Sequence, residues 1–311
     1  MNKYVSPLLA GLMAACLAAP ASASYSKIIA FGDSLSDNGN LFNLIGQPPA
    51  PYFNGRFSNG PVAVEVMAQT LGLSLTDYAY GGAQTGTTNY LGDALNGTGV
   101  TGQVAQYGML TGGHADASAL YMVWAGPNDF FADMLNPSTA PNASNNLLNN
   151  IHDLYNMGAR DFFVPLMPNL GVTPMALGVN VNNPGFAFVA SQQSAYFNSL
   201  LSNGLSQLQQ NLAGVQIRTF DTSAFLMSQI AIMNAQGGKV TTLPCFDAAK
   251  KTLCANPDDY LFWDGVHPTA AAHQVLGQAF AAAVPEPETY ALALAGLVIA
   301  VAARRRVKTA A

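Results

Sequence analysis

Three side chains of this sequence have the types and the spacing needed for nucleophilic attack on a carbonyl carbon. Ser34 lies in a short polar turn directly after an apolar, β-type run at 28–31. Far downstream, Asp264 precedes His267 by three positions. A serine hydroxyl is a weak nucleophile at neutral pH, so it needs an imidazole base, and the imidazole needs a carboxylate that holds its tautomer. The pattern therefore predicts acyl-transfer chemistry with Ser34 as the nucleophile.

The elements that must position these side chains alternate along the chain. Apolar, β-type runs predict strands at 27–31, 73–80, 119–125, 161–167 and 216–220. Helical periodicity and end signals predict helices at 61–71, 145–157, 186–212 and 269–283. This alternation is typical of an α/β fold in which helices cover both faces of a parallel sheet, and it places Ser34 at a sheet edge. Segments rich in Gly, Asn and Pro, at 47–58, 89–113 and 168–184, are predicted to be loops.

Four short motifs occur in an order that resembles the GDSL (SGNH) lipase/esterase family. They are Phe-Gly-Asp-Ser-Leu-Ser-Asp-Asn-Gly-Asn at 31–40, Tyr-Gly-Gly-Ala at 80–83, Gly-Pro-Asn-Asp at 126–129 and Asp-x-x-His at 264–267. Each motif alone is an ordinary turn or helix cap, whereas their joint order is specific. The match runs from about residue 27 to residue 283, and segments 55–61 and 165–171 are similar to the larger, lipase-like branch.

The resemblance implies a fold and a set of site residues. The fold is a three-layer α/β/α sandwich with a mainly parallel central sheet, as in SGNH hydrolases and flavodoxin-like proteins. The implied catalytic residues are Ser34, Asp264 and His267. The implied oxyanion hole consists of the Ser34 and Gly82 backbone N–H groups and the Asn128 side-chain amide. Each such donor contributes on the order of 3 kcal/mol to stabilising a tetrahedral oxyanion in comparable sites.

Two cysteines, Cys245 and Cys254, lie in a Pro- and Asp-containing stretch beyond the N-terminal segment. In an exported protein a disulfide between them is predicted in preference to two free thiols. Such a bridge is expected to stiffen the approach to Asp264 and His267. A metal pair is disfavoured because no second pair of ligands lies nearby, so no metal site is predicted.

Arg56 and His273 have less specific settings. Arg56 is a candidate for a substrate-contacting loop, and anchoring its own loop is an equally good interpretation. His273 follows His267 by six positions, off the same helical face, and is predicted to be a surface or capping residue. The segment 97–102 matches the dinucleotide fingerprint in letters only, without a preceding strand or a clear following helix, so no cofactor is predicted.

The N-terminal segment, 1–23, is typical of a secretory signal peptide. Lys3 lies near the start, an apolar stretch covers 5–19, and Ala21-Ser22-Ala23 fits a small-x-small cleavage site. A degenerate lipoprotein site at Cys16 is the weaker alternative. Export from the cytoplasm is therefore predicted.

The C-terminal segment, 285–311, resembles the PEP-CTERM sorting signal of Gram-negative bacteria. It begins Pro-Glu-Pro-Glu, continues with an apolar run at 290–303 and ends in an arginine cluster at 304–306. The run is shorter than the roughly 20 residues of a spanning helix. The resemblance implies an exosortase partner that reads and removes the segment, and a final place at the envelope, the cell surface or the extracellular matrix. An ordinary C-terminal membrane anchor is the alternative.

Between these ends, residues 24–284 are long enough for one well-buried core, so a single domain is predicted. They carry 7 basic and 15 acidic residues, a net charge of about −8. Nucleic acid is disfavoured as a partner because it requires clustered Lys and Arg. Transient or C-terminal membrane association is the membrane contact expected.

Together the motifs predict a secreted serine esterase or lipase acting through an acyl-enzyme on Ser34. Its substrate would be an ester of a small molecule, a lipid or a carbohydrate. An acyltransferase would use the same three side chains and differ in admitting an alcohol instead of water. A surface or matrix protein that binds glycan without turnover would suit the sorting segment. Both alternatives stay open on the motifs, although retention of the nucleophile, base and donors favours an enzyme.

Overall fold

The described part of the chain, residues 25–284 of a computed structural model, alternates strands and helices. Its strands are β1 (Lys27–Gly32), β2 (Ser74–Asp77), β3 (Leu120–Trp124), β4 (Asp161–Pro165), β5 (Gln216–Phe220), β6 (Val240–Pro244), β7 (Phe246–Asp247), β8 (Thr252–Leu253) and β9 (Tyr260–Phe262). Its α-helices are α1 (Asn40–Ile45), α2 (Ala63–Leu71), α3 (Val100–Leu110), α4 (Pro127–Ala132), α5 (Thr139–Met157), α6 (Pro174–Asn182), α7 (Phe186–Asn211), α8 (Thr222–Gln236) and α9 (Ala270–Ala283). The predicted signal peptide and sorting segment lie outside the described residues. Within 25–284, no helix combines the length and apolar character of a membrane span.

Strands β1 to β5 form one parallel sheet in the order β2-β1-β3-β4-β5. Ile29 of β1 lies opposite Thr76 of β2 on one side and opposite Tyr121 of β3 on the other. Strand β2 therefore lies on one side of β1, and β3, β4 and β5 follow on the other side. This is the flavodoxin-like order, in which ligands bind at the carboxyl ends of β1 and β3, where the strand order reverses.

The three central strands, β1, β3 and β4, are buried along almost their whole length. Since successive strand residues point to opposite sides, both faces of the sheet are covered there. Ile29 and Phe162 lie in one apolar cluster together with Phe197 of α7. On the other face, the Phe163 ring contacts the ring of Phe280 in α9 at a centroid distance of 5.2 Å. The predicted three-layer α/β/α sandwich with a parallel central sheet is confirmed.

The loop predictions are wrong at two helices. Helix α3 lies within 89–113 and α6 lies within 168–184. Gly102 and Gly108 weaken the helical signal of α3, but burial of Val100, Val104 and Tyr107 stabilises it. Helix α8 has no counterpart among the predictions, because its apolar residues surround the helix axis instead of forming one stripe.

Of the two roles predicted for His273, surface or capping, the structure contradicts the surface role and supports the capping role. Its side chain is fully buried. Its Nδ1 accepts a hydrogen bond from the N–H of Ala63, the first residue of α2, at 3.1 Å. Desolvation, with a smaller effect of His267, lowers the pKa of the His273 imidazole to about 3, so the ring is neutral. His273 thus caps a neighbouring helix from within the core.

Candidate active site

Ser34 lies in the turn that follows β1, at the edge where β1 and β3 end. The Asp33 carbonyl accepts a hydrogen bond from the Ser36 N–H at 3.0 Å, which closes the turn. Gly32 permits the close approach of β3, because a Cβ there would lie 2.3 Å from the Trp124 carbonyl oxygen. The Ser34 side chain lines a cavity and is largely shielded from solvent.

The structure brings Ser34 next to His267 and Asp264, although Ser34 and His267 are 233 positions apart in the sequence. Ser34 Oγ lies 2.7 Å from His267 Nε2. His267 Nδ1 lies 2.7 Å from Oδ2 and 2.9 Å from Oδ1 of Asp264. Oδ1 also accepts the backbone N–H groups of Val266 and His267 at 2.9 and 2.8 Å. These contacts form a Ser-His-Asp array that could transfer the hydroxyl proton to the imidazole while the carboxylate orients the ring.

Tyr52 completes the surroundings of the Asp264 carboxylate and was missed by sequence reasoning. Its hydroxyl donates to Asp264 Oδ2 at 2.7 Å, across 212 positions of sequence. Its ring packs edge-on against Phe246 and Trp263 at 5.7 and 6.3 Å. Burial raises the pKa of Asp264, but the His267 imidazole and the hydrogen bonds from His267 and Tyr52 outweigh it, so the pKa lies below its ordinary value. No local spacing could have signalled this contact.

Cys245 and Cys254 are joined by a disulfide. The bridge spans the short antiparallel hairpin of β7 and β8. The Cys245 N–H donates to the Phe262 carbonyl at 3.0 Å, and the Phe246 N–H donates to the Trp263 carbonyl at 2.6 Å. The cross-linked hairpin is therefore bonded to the segment that leads directly into Asp264.

The two residues that flank Gly82 are hydrogen-bonded to side chains near Ser34. The Gly81 N–H donates to Asp37 Oδ2 at 2.7 Å, and Asn128 Nδ2 donates to the Ala83 carbonyl at 3.0 Å. Gly82 has φ +77°, and a Cβ there would lie 2.4 Å from Asn89 Oδ1. Glycine is therefore required at this position for both conformation and space.

The three predicted oxyanion donors retain free hydrogen-bonding capacity. Within residues 25–284, no acceptor is found for the backbone N–H groups of Ser34 and Gly82. Asn128 lines the same cavity as Ser34 and spends one of its two amide hydrogens on the Ala83 carbonyl. These groups could therefore donate to a developing oxyanion.

Arg56 is engaged in anchoring its own loop. Its Nη2 and Nε lie 2.6 and 3.2 Å from the two carboxylate oxygens of Glu65. Its Nη1 donates to the Asn54 carbonyl at 2.8 Å. Arg56 does not line the cavity at Ser34. Of the two interpretations of Arg56, these contacts favour the anchoring role over substrate contact.

Asp33, the neighbour of Ser34, is a buried carboxyl. Its Oδ1 accepts the Leu35 N–H at 3.0 Å, and its Oδ2 is buried without a hydrogen-bond partner among the described residues. Desolvation raises the pKa of Asp33 to about 7. The Leu35 N–H and His267 oppose this shift, whereas Asp129 and Asp37 add to it. The carboxyl therefore gains and loses its proton near neutrality.

Because of this raised pKa, we expect the free energy of unfolding to fall as the pH rises from about 5 to about 8. The folded protein holds the Asp33 proton more tightly than the unfolded chain. The resulting stabilisation is complete below the ordinary pKa of 3.8 and is lost as the pH rises through about 7. Two pKa units within the window correspond to about 3 kcal/mol. In Asp33→Asn, the decrease in the free energy of unfolding between the two pH values should be smaller by this amount. Denaturant unfolding at each pH measures it.

The matched control is Asp153→Asn, which changes an exposed carboxyl on α5. Its unfolding free energy should show the same pH dependence as that of the unaltered protein. If Asp33→Asn also keeps that dependence, the Asp33 carboxyl titrates near its ordinary pKa and the expectation is wrong.

A cavity of about 270 Å³ opens at Ser34 and His267. Leu35, Trp124 and Asn128 line it near the hydroxyl, and residues of α8 and α9 line its continuation. A mostly apolar pocket with a few convergent polar groups is the usual form of a small-molecule site. The array therefore faces a space able to receive a substrate.

A Ser-His-Asp array where the strand order of a flavodoxin-like sheet reverses defines the class of serine hydrolases built on a doubly wound fold. The chain belongs to the GDSL-like lipase/acylhydrolase family, which matches residues 28–280. Residues 283–306 match the PEP-CTERM protein-sorting motif. Both predicted resemblances are confirmed, and the protein is a carboxylic ester hydrolase.

Relatives of known name share about a quarter of their residues with this chain. A GDSL esterase/lipase of Arabidopsis thaliana is 26% identical over 310 residues, covering 80% of this chain and 88% of the relative. A phosphatidylcholine-sterol acyltransferase of Aeromonas hydrophila is 27% identical over 331 residues, covering 89% and 96%. A solved lipolytic G-D-S-L family protein of Veillonella parvula matches with a TM-score of 0.45 and 16% identity, covering 83% of this chain and 97% of that one.

Proposed function

We propose that the protein hydrolyses carboxylic esters in two steps through an acyl-enzyme on Ser34. The observation that carries the proposal is the continuous hydrogen bonding from Ser34 Oγ through His267 to Asp264, with both donor–acceptor distances at 2.7 Å. In this arrangement Ser34 is the nucleophile, His267 the general base and Asp264 the group that orients the imidazole.

In the first step, Ser34 Oγ bonds to the ester carbonyl carbon while its proton passes to His267 Nε2. The carbonyl oxygen becomes an oxyanion, which the N–H groups of Ser34 and Gly82 and the Asn128 amide would stabilise. Collapse of this intermediate breaks the bond to the alcohol oxygen, which takes the proton from His267. Water then repeats the sequence on the acyl-enzyme, releases the acid and returns the proton to Ser34.

Removal of the Asn128 amide tests the oxyanion assignment. Asn128→Ala should lower kcat by about 10²–10³-fold with little change in KM, because the lost hydrogen bond forms mainly in the transition state. The matched control is Asn146→Ala. Asn146 also donates to the neighbouring loop, to Thr85 Oγ1 at 3.1 Å, but it does not line the cavity. A similar loss of kcat in both variants would assign the effect to loop geometry instead.

Covalent labelling tests the nucleophile directly. The purified full chain is treated with an alkyl p-nitrophenyl phosphonate, and the modified residue is located by peptide mass spectrometry. One phosphonyl group on Ser34, formed as p-nitrophenyl butyrate hydrolysis disappears, is the expected result. Folded protein that reacts at another residue, or not at all, would overturn the assignment of Ser34.

Acyl transfer to an alcohol is the second candidate activity. The Aeromonas relative is named as an acyltransferase, and the same acyl-enzyme can be cleaved by an alcohol in place of water. Adding glycerol or a sterol to the ester assay separates the two activities. A transferase would form the new ester at the expense of free acid, whereas a hydrolase would keep releasing free acid.

The cellular setting agrees with an exported enzyme. The PEP-CTERM motif indicates export and sorting to the envelope of a Gram-negative bacterium. We infer that residues 1–23 are removed on export and that an exosortase removes the segment from 285. The product would be a protein of residues 24–284 that carries the Ser-His-Asp array and acts on esters at or beyond the cell surface.

A further inference from the structure

A groove continues from the cavity at Ser34 along helices α8 and α9. Helix α8 lines it from Thr222 at its first residue to Gln236 at its last. Between these ends, Phe225, Leu226, Ile232 and Met233 lie on one side of the helix, as the 3.6-residue period requires. Helix α9 contributes a second apolar wall, which includes Leu276.

Helix α8 leaves this apolar face only partly covered by the protein's own side chains. The Phe225 ring packs on the Phe220 ring at a centroid distance of 5.5 Å, and Leu226 and Met233 are half-buried. Thr222 is the only fully buried residue of α8, and the side chain of Ile232 is 48% exposed. A surface helix normally packs its apolar side against the core. On α8 that side faces the groove, so apolar surface remains available to a ligand that enters from Ser34.

The groove extends well beyond the reacting atoms. The 15 residues of α8 correspond to about 22 Å of helix axis at 1.5 Å per residue. The start of α8 follows β5, three strand spacings from β1, or about 14 Å across the sheet. An acetyl group on Ser34 would fill only the beginning of such a groove. A chain of many methylenes would contact most of it.

Charge along the groove is confined to its two ends. Asp33 and His267 lie at the reacting end. Lys239 and Asp258 lie beyond the C-terminus of α8, and Lys239 is paired with Asp259 at 2.7 Å. Among the described lining residues, none with a formal charge lies between these ends. Gln229 is the one amide of α8 in the middle of the groove, and its neighbours in the lining are Leu226 and Ile232, so this part suits hydrocarbon better than a charged headgroup.

We propose that this groove binds the acyl chain of the ester and that the preferred substrate carries a medium or long unbranched acyl group. This inference rests on the proposed acyl-enzyme at Ser34. The alcohol is assigned to the other side of the imidazole, where the Phe57 ring packs on His267 at 5.0 Å and does not line the groove. The acyl chain stays bonded to Ser34 between the two steps, so the groove would hold it while the alcohol leaves past Phe57.

The test compares two ester series with the full chain. In p-nitrophenyl esters from acetate to octanoate, kcat/KM should rise about fourfold for each added methylene until the groove is filled, as apolar burial predicts. In acetate esters of alcohols from methanol to octanol, kcat/KM should change much less. A flat first series, or a steeper rise in the second, would overturn the proposal.

Substitutions in the groove make the test specific to α8. Met233→Trp should reduce the ratio of octanoate to acetate kcat/KM by at least about tenfold, since the indole would occupy space meant for the chain. Ile232→Glu, at a half-exposed position that folding tolerates, should reduce the ratio by placing a charge beside the chain. The controls are Met227→Trp and Met227→Glu, because Met227 is an exposed α8 residue outside the groove lining.

The outcomes separate this inference from the proposed function. Acetate hydrolysis that depends on Ser34 but shows no chain-length preference would retain the esterase and remove the acyl groove. Equal ratios of octanoate to acetate kcat/KM in the groove variants and the Met227 controls would also remove the acyl groove and retain the esterase. Absence of Ser34-dependent turnover on every ester would overturn the proposed function, and the groove assignment with it.

Discussion

Ser34→Ala is expected to lower kcat for p-nitrophenyl butyrate by about 10⁶-fold, the loss typical of removing a serine nucleophile from such an array. The variant lacks the oxygen that must bond to the carbonyl carbon, and no other hydroxyl among the described residues lies within hydrogen-bonding distance of His267 Nε2. The residual rate would come from oxyanion donors and binding alone. The measurement is steady-state hydrolysis by the purified full chain at neutral pH.

Ser36→Ala is the matched control for this substitution. Ser36 lies in the same turn and is buried, and its hydroxyl has no hydrogen-bond partner among the described residues. Its removal should leave kcat within a few-fold of the unaltered protein and the unfolding free energy almost unchanged, since no hydrogen bond is lost. If Ser34→Ala retained activity close to that of Ser36→Ala, the acyl-enzyme mechanism would be wrong.

Asp264→Asn should lower kcat by about 10⁴-fold without unfolding the protein. The asparagine can donate its amide hydrogen to His267 Nδ1, which would place the ring hydrogen on Nε2. That nitrogen could then no longer accept the Ser34 proton. The remaining amide oxygen can still accept either the backbone N–H groups of Val266 and His267 or the Tyr52 hydroxyl, which limits the structural change.

Asp259→Asn provides the comparison for Asp264→Asn. Asp259 is close in sequence, but its carboxylate binds Lys239 at 2.7 Å and Asn256 instead of His267. Its replacement should leave kcat nearly unchanged, since a surface ion pair contributes little. Circular dichroism and thermal unfolding of each variant verify folding. Equal rates for Asp264→Asn and Asp259→Asn would show that the Asp264 carboxylate does not orient the base.

Most of the sheet could be predicted from the sequence, because burial on both faces produces apolar runs that are visible locally. The strands predicted at 119–125 and 161–167, for example, correspond to the buried strands β3 and β4. Helices α3 and α8 could not be predicted in the same way. Glycines interrupt the pattern of α3, and α8 carries apolar residues all round. Tertiary packing stabilises α3, and the groove accounts for the apolar face of α8.

The sequence by itself determined the family, the sorting motif and the identity of the residues with catalytic chemistry, since short motifs keep Ser34 in its turn and Asp264 three positions before His267. Only the tertiary structure decided what surrounds them. It placed Ser34 Oγ at 2.7 Å from an imidazole 233 positions away, and it supplied the Tyr52 hydroxyl to Asp264 and the apolar wall of α8. Local patterns report on contacts within a few residues, whereas these contacts exist only after the folded sheet has brought distant loops to one edge.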